Sequence, residues 1–148
     1  MRVSCILVFL VTLFTTMGCG DEMRAGKYGM ISEGTPQHAA LKFTKAVYKE
    51  QNLDPALALS TERFQKILAA YHTPRNVQRQ VFNVRFDEVV AEVVAGGTLL
   101  SIDSRDDAEI DIKLEGRYNG ERLWDLKTIM LVKEKGGWKV AGVKESVP

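Results

Sequence analysis

The sequence of 148 residues is poor in cysteine, histidine and proline, and its positive and negative charges nearly cancel. Two cysteines are too few for a disulfide framework or for a zinc site built on four thiolates. The two histidines, His38 and His72, form no HxxH or HExxH motif, so we expect surface or structural roles for them and neither a metal nor a cofactor. A formal net charge of +1 also lacks the strong basic field of a nucleic-acid-binding domain.

One long apolar run stands at the N-terminus, where residues 3–17 carry no charge and follow Met1 and Arg2. The run is shorter than a membrane-spanning helix of about 20 residues, and a positive start before such a run is typical of a signal peptide. It ends in Thr-Met-Gly-Cys, which resembles the bacterial lipobox, although Thr16 stands where Leu is usual. A plain secretory signal and an uncleaved anchor are the alternatives.

The resemblance to a lipobox implies cleavage between Gly18 and Cys19, and attachment of diacylglycerol and acyl chains such as palmitate to Cys19. Cleavage would remove one arginine and the other cysteine, which leaves 19 basic and 19 acidic residues and no free thiol. Gly20 follows the cysteine where Asp would favour the inner membrane, so we expect the outer membrane, facing the periplasm. The predicted organisation is a signal peptide at 1–18, the lipidated cysteine and a flexible tether at 19–34, and one folded domain at 35–148.

Three dipeptides predict helix starts, because each places an N-cap oxygen before a proline at the first helical position. They are Thr35-Pro36, Asp54-Pro55 and Thr73-Pro74. The spacing of apolar residues then predicts helical segments at 36–51, 55–59, 61–71 and from 74 onwards. In the third segment the residues expected on the buried face are Phe64, Ile67, Leu68 and Tyr71.

From about residue 84 the apolar period changes from 3.6 to 2, which predicts strands, the clearest of them starting at Ala108. The Asn119-Gly120 pair that follows permits a two-residue or a three-residue hairpin loop. We expect the three-residue loop, 118–120, because the shorter loop would place Lys127 opposite Ile112 on the apolar side. The same reasoning predicts a second three-residue loop at 134–136.

These elements predict an α+β domain in which N-terminal helices pack on a curved four-stranded antiparallel sheet. The final segment, WDLKTIMLVKEKGGWKVAGV, resembles the last hairpin of small bacterial lipoproteins with a nuclear transport factor 2-like (cystatin-like) roll. That fold group includes isomerases, dehydratases, transport factors and ligand-binding or assembly modules. The resemblance therefore implies a fold and carries no catalytic signature.

The predicted registers leave no Asp, Glu, His or Lys on the side of the sheet that faces the helices. An isomerase-like mechanism needs a carboxylate base and an acidic donor there, so we expect no catalytic residue and a non-catalytic ligand-binding or envelope-interaction module. The alternative is a small-molecule enzyme of the isomerase or dehydratase type. A pocket is expected at Gly116, Tyr118, Trp124, Thr128, Trp138 and Gly142. The simpler interpretation of these residues is that the glycines relieve crowding and the tryptophans fill the core.

The same registers place a group of aliphatic side chains on the outer side of the sheet. A surface that meets water seldom carries so many neighbouring apolar side chains. Either residues 95–107 cover them or a second molecule does, so we expect a homodimer contact or an envelope-protein contact in addition to the lipid anchor. The expected interface residues are Leu123, Ile129, Leu131, Ala141 and Val143.

Overall fold

Four helices are followed by four strands in a computed structural model, which describes residues 31–94 and 106–146. The strands form one antiparallel sheet in the order β1-β2-β3-β4, so the predicted α+β class is confirmed. None of the described helices is long and apolar enough to cross a membrane. The elements are α1 Pro36–Lys49, α2 Asp54–Ala58, α3 Glu62–Ala70, α4 Pro74–Gln80, β1 Glu88–Val93, β2 Asp107–Tyr118, β3 Glu121–Glu134 and β4 Gly137–Glu145.

A threonine side chain caps three of the four described helices, whereas the dipeptides predicted caps at Thr35, Asp54 and Thr73. The hydroxyls of Thr35 and Thr73 accept hydrogen bonds from backbone N–H groups three residues later, at 3.2 and 3.3 Å. Thr61 caps α3 in the same way, at 3.4 Å. The prediction for Asp54 was wrong: Asp54 is already helical, and its backbone N–H donates to Asn52 Oδ1 at 3.0 Å. Each capped donor is one that the first turn leaves without an intrahelical partner.

The register between β2 and β3 differs from the prediction by one residue. Tyr118 pairs with Glu121, so the hairpin turn contains only Asn119 and Gly120, with φ of 52° and 84°. Both values lie in the left-handed region that a type I′ turn requires, and Asn-Gly is the preferred pair for it. The turn chemistry therefore prevails, and Lys127 lies opposite Ile112, contrary to the prediction.

The second hairpin is also one residue shorter than predicted. Glu134 pairs with Gly137, which leaves a two-residue turn at 135–136. Further along, Leu131 pairs with Val140 whereas Met130 pairs with Gly142, so β4 contains an extra residue at the bulge. A bulge of this kind inserts one unpaired residue, here Ala141, bends the strand and increases its local twist.

The core lies between the helices and one side of the sheet, here called the helix-facing side. Phe43 of α1 lies at its centre, with its ring 6.0 Å from Phe64 and 6.1 Å from Phe82. Ile67, predicted to be inward, is 44% exposed, so that prediction was wrong. The strands contribute Ile110, Ile112, Leu114, Ile129, Leu131 and Val140 to this core.

The edge of β4 that faces away from β3 is joined to the loop between α2 and α3. Ser60 forms an isolated parallel bridge with Val140. The Val140 N–H donates to the Leu59 carbonyl, and its carbonyl accepts from the Thr61 N–H, both at 2.9 Å. The helical layer therefore completes the backbone hydrogen bonding of the sheet at this point.

Candidate functional site

Two groups of charged side chains lie on opposite sides of the sheet, and the observed register decides their positions. On the helix-facing side, Lys127 is only 2% exposed. Its Nζ lies 3.0 Å from Asp125 Oδ2 and 2.5 Å from Glu145 Oε2. We call these three residues together with Tyr48 the inner polar cluster. It corrects the expectation that no Asp, Glu or Lys would be found on this side.

Tyr48 is linked to this cluster electrostatically through Asp125, while its ring and its hydroxyl have other partners. The ring packs edge-on against Phe82 and Phe86, with centroids 5.2 and 5.8 Å away. The hydroxyl donates to the Val84 carbonyl at 3.0 Å. Burial raises the pKa of the Tyr48 phenol, and the nearby Asp125 carboxylate raises it further. The phenol is therefore neutral at physiological pH and serves as a donor.

The inner polar cluster satisfies its own hydrogen-bonding needs. Within residues 31–94 and 106–146, no buried side-chain nitrogen or oxygen atom is left without a partner. A buried lysine requires such pairing, because an isolated ammonium group in an apolar core costs several kcal/mol. We therefore assign the cluster a structural role: it permits the register that the Asn119-Gly120 turn imposes.

The opposite, outer side of the sheet carries exposed apolar side chains among charged ones. Trp124 of β3 is 70% exposed and Val90 of β1 is 49% exposed. Both are cross-strand neighbours of Glu115 on the central strand β2, one on each side. Because directly paired residues lie on the same side of a sheet, the three form one row across the outer surface.

A shallow depression of about 380 Å³ lies over the β1–β2 part of this surface. Three acidic and three basic side chains line it, so its charges balance. With Val90 and the neighbouring Trp124 these six residues make up what we call the outer patch. The charged members are Glu88, Glu92, Lys113, Glu115, Arg117 and Arg122.

Glu115 holds two of the basic side chains of the outer patch. Its carboxylate accepts from Lys113 Nζ at 2.9 Å and from Arg122 Nη2 at 2.8 Å. The hydrogen bond from Lys113, with that from Arg122, lowers the pKa of Glu115, and the bond to Glu115 raises the pKa of Lys113. The charges around Trp124 are therefore in place at physiological pH.

The six residues predicted to line a pocket do not come together. Trp124 and Thr128 lie on the outer side, and the Thr128 hydroxyl donates to Asp111 Oδ1 at 2.6 Å. Trp138 is half-buried against the core. The ring of Tyr118 lies 4.8 Å from the guanidinium carbon of Arg85.

The two glycines of the predicted pocket have different surroundings. A Cβ on Gly116 would overlap the backbone carbonyl oxygen of Glu88, so the absent side chain permits the close approach of β1. Gly142 lies beneath the flexible end of Met130, 2.5 Å from a hypothetical Cβ. Both glycines therefore relieve crowding, which is the simpler of the two roles considered from the sequence.

The residues predicted for an outer interface lie elsewhere, as a direct result of the register error. Ile129 and Leu131 are buried in the core, and Leu123 and Val143 pack against it. Ala141, at the bulge, is exposed. The outer side does carry exposed apolar residues, but they are Trp124 and Val90. The type I′ preference of Asn-Gly was the signal in the sequence that could have located them.

The predictions for the N-terminus and for residues 95–105 lie outside the described residues, including those for Gly18 and Cys19. Glu33 and Gly34, at the end of the predicted tether, form a turn, and the Thr35 hydroxyl donates to the Ser32 carbonyl at 2.8 Å. Ile31 packs against the core. In the described part of the chain, no three His, Cys, Asp or Glu side chains are grouped so that they could hold a metal ion.

Comparisons of the chain with protein-family models, with curated proteins and with solved structures give no match. The arguments for function therefore come from the residues and geometry of the chain.

Proposed function

We propose that the chain is a lipid-anchored domain of the bacterial cell envelope that binds a protein partner through its outer patch, without catalysis. The observation that carries the proposal is the exposure of Trp124, of which 70% is open to solvent on a central strand of the sheet. Tryptophan and arginine are the side chains most enriched among residues that dominate protein–protein binding energy. Here Trp124 and Arg122 project from the same side of one strand.

The outer patch is already ordered for binding. Trp124 lies in the part of β3 that pairs with β2, opposite Glu115, whereas the pairing of β3 with β4 begins at Lys127. The guanidinium group of Arg122, two residues before Trp124 on the same strand, donates a hydrogen bond to Glu115 at 2.8 Å. Because the backbone that carries these side chains is already ordered in the sheet, binding a partner costs little backbone entropy, which favours affinity.

The proposed anchoring rests on the N-terminal sequence. The uncharged run at 3–17 and the Cys19 that follows support cleavage, lipidation and attachment to the outer membrane. Two or three acyl chains give durable membrane attachment, since each buried methylene contributes about 0.8 kcal/mol. Helices followed by a four-stranded antiparallel sheet also support the finer proposal of a nuclear transport factor 2-like roll.

Site-specific photo-crosslinking in intact cells tests the proposed binding. A photoreactive phenylalanine analogue in place of Trp124 is expected to trap a protein partner on illumination. The matched control carries the same analogue in place of Ile67, an exposed apolar residue of α3, and is expected to trap none. Equal crosslinking at the two positions, or none at position 124, would contradict the proposal.

A further inference from the structure

We infer that the protein bound by the outer patch is a second copy of the same chain, stacked face to face about a two-fold axis parallel to β2. This inference rests on the proposed function and names its partner. Sheets pack face to face at about 10 Å, with strand directions within about 30° of each other. A two-fold axis along the central strand places β1 of each copy over β3 of the other.

The register then fixes which side chains meet. Glu88 of β1 and Arg122 of β3 both pair with Arg117 of β2. Val90 of β1 and Trp124 of β3 both pair with Glu115 of β2. In the stacked pair, Val90 of one copy therefore lies over Trp124 of the other, and Glu88 lies over Arg122. Each contact occurs twice, as an isologous interface requires.

The charges on the two flanks of the outer patch suit this arrangement. The acidic residues Glu88 and Glu92 flank Val90 on β1, whereas Arg122 precedes Trp124 on β3. The patch is thus acidic on one flank and basic on part of the other. On the axis, Lys113, Glu115 and Arg117 of β2 each face their own counterpart. Lys113 and Glu115 are ion-paired inside each chain, and Arg117 is the cross-strand neighbour of Glu88. A patch with balanced charge is a poor fit for a strongly charged partner such as a nucleic acid.

Edge-to-edge pairing of two copies through β1 is less favourable. Centring such a pair on Val90 would place Glu88 of each copy opposite Glu92 of the other. Like charges directly opposite each other on neighbouring strands are destabilising. Stacking through the outer patch instead places Glu88 over Arg122 on both flanks and also covers Trp124.

A charge-exchange experiment tests the geometry. Two full-length copies with different affinity tags are produced in the same cells, and their co-purification in mild detergent is measured. Glu88→Arg in both copies, or Arg122→Glu in both copies, is expected to reduce recovery of the second tag roughly tenfold. Glu88→Arg in one copy with Arg122→Glu in the other restores both contacts, so recovery is expected to return towards that of the unaltered pair.

Two controls separate folding from association. Glu62→Arg changes an exposed charge on α3 and is expected to leave co-purification unchanged. Circular dichroism melting of each variant alone shows whether the fold is retained. Failure of the mixed pair to recover, with both variants folded, overturns the two-fold geometry.

The outcome for the second copy is distinguishable from that for the proposed function. If the unaltered copies do not co-purify while position 124 crosslinks to a different protein, the second-copy inference is overturned and the proposed function stands. If position 124 crosslinks to nothing and the copies do not associate, both are overturned. An adduct with twice the mass of the chain supports both.

Discussion

Replacement of Lys127 provides a strict test of how the core accommodates a charge. The lysine is 2% exposed, yet its two partners retain contact with solvent: the side chain of Asp125 is 28% exposed and that of Glu145 is 62% exposed. Lys127→Met keeps most of the buried aliphatic stem and removes the ammonium group. Removing one partner of a buried ion pair is costly when it leaves a buried charge, but these carboxylates can be hydrated, so the free energy of unfolding is expected to change by about 1 kcal/mol or less.

Lys127→Ala is the matched comparison, since it removes the same charge and also the stem. Three methylene equivalents at about 0.8 kcal/mol each predict that the alanine variant is about 2–3 kcal/mol less stable than the methionine variant. The assay is equilibrium urea unfolding of the full chain, followed by far-ultraviolet circular dichroism. Equal stability of the two variants would refute the packing of the stem. A loss above about 4 kcal/mol in Lys127→Met would refute the view that the ion pairs only offset the cost of burial.

Three further predictions concern the close approach of β1, the buried phenol and the anchor. Gly116→Ala is expected to lower stability by about 1–3 kcal/mol because its Cβ meets backbone, whereas Gly142→Ala meets only a mobile methyl group and costs less than about 1 kcal/mol; thermal melts of both variants decide this. Because the raised pKa of Tyr48 keeps the folded phenol protonated while the unfolded one ionises near pH 10, stability is expected to fall above about pH 10 by up to about 1.4 kcal/mol per pH unit. Tyr48→Phe lacks this loss, so the free energy of unfolding of the unaltered protein is expected to fall relative to that of the variant between neutral and alkaline pH, as measured by urea unfolding. A difference in free energy that does not change with pH would contradict this prediction. Cys19→Ser is expected to abolish incorporation of an alkyne-labelled palmitate and release the chain from the membrane fraction; retention of label would contradict lipidation at this residue.

The helical half of the fold could be predicted from local signals. Thr-Pro pairs marked the starts of α1 and α4, since a capping oxygen and a proline act within a single turn. The start at Asp54 differed by one residue because the Asn52 side chain supplies the acceptor instead. The alternation from Ala108 onwards located β2 and its buried side for the same reason: the pattern is local.

The positions of the candidate site could not be predicted, because they depend on how two strands align. A shift of one residue exchanges the two sides of a strand, and this shift moved Trp124 to the surface and Ile129 to the core. The cost of burying a lysine on an apolar face favours the other register when only the sequence is considered. The structure compensates for it with Glu145, which is far along the chain and adjacent only once β4 has paired.

The bridge between Ser60 and Val140 has a consequence for the behaviour of the chain at high concentration. Exposed strand edges are templates on which further strands add during fibril growth. Both backbone groups of Val140 are occupied by the α2–α3 loop, so an incoming strand finds no hydrogen-bonding partner at that position of β4. Growth of an aggregate from this edge therefore first requires the loop to detach, which adds a kinetic barrier.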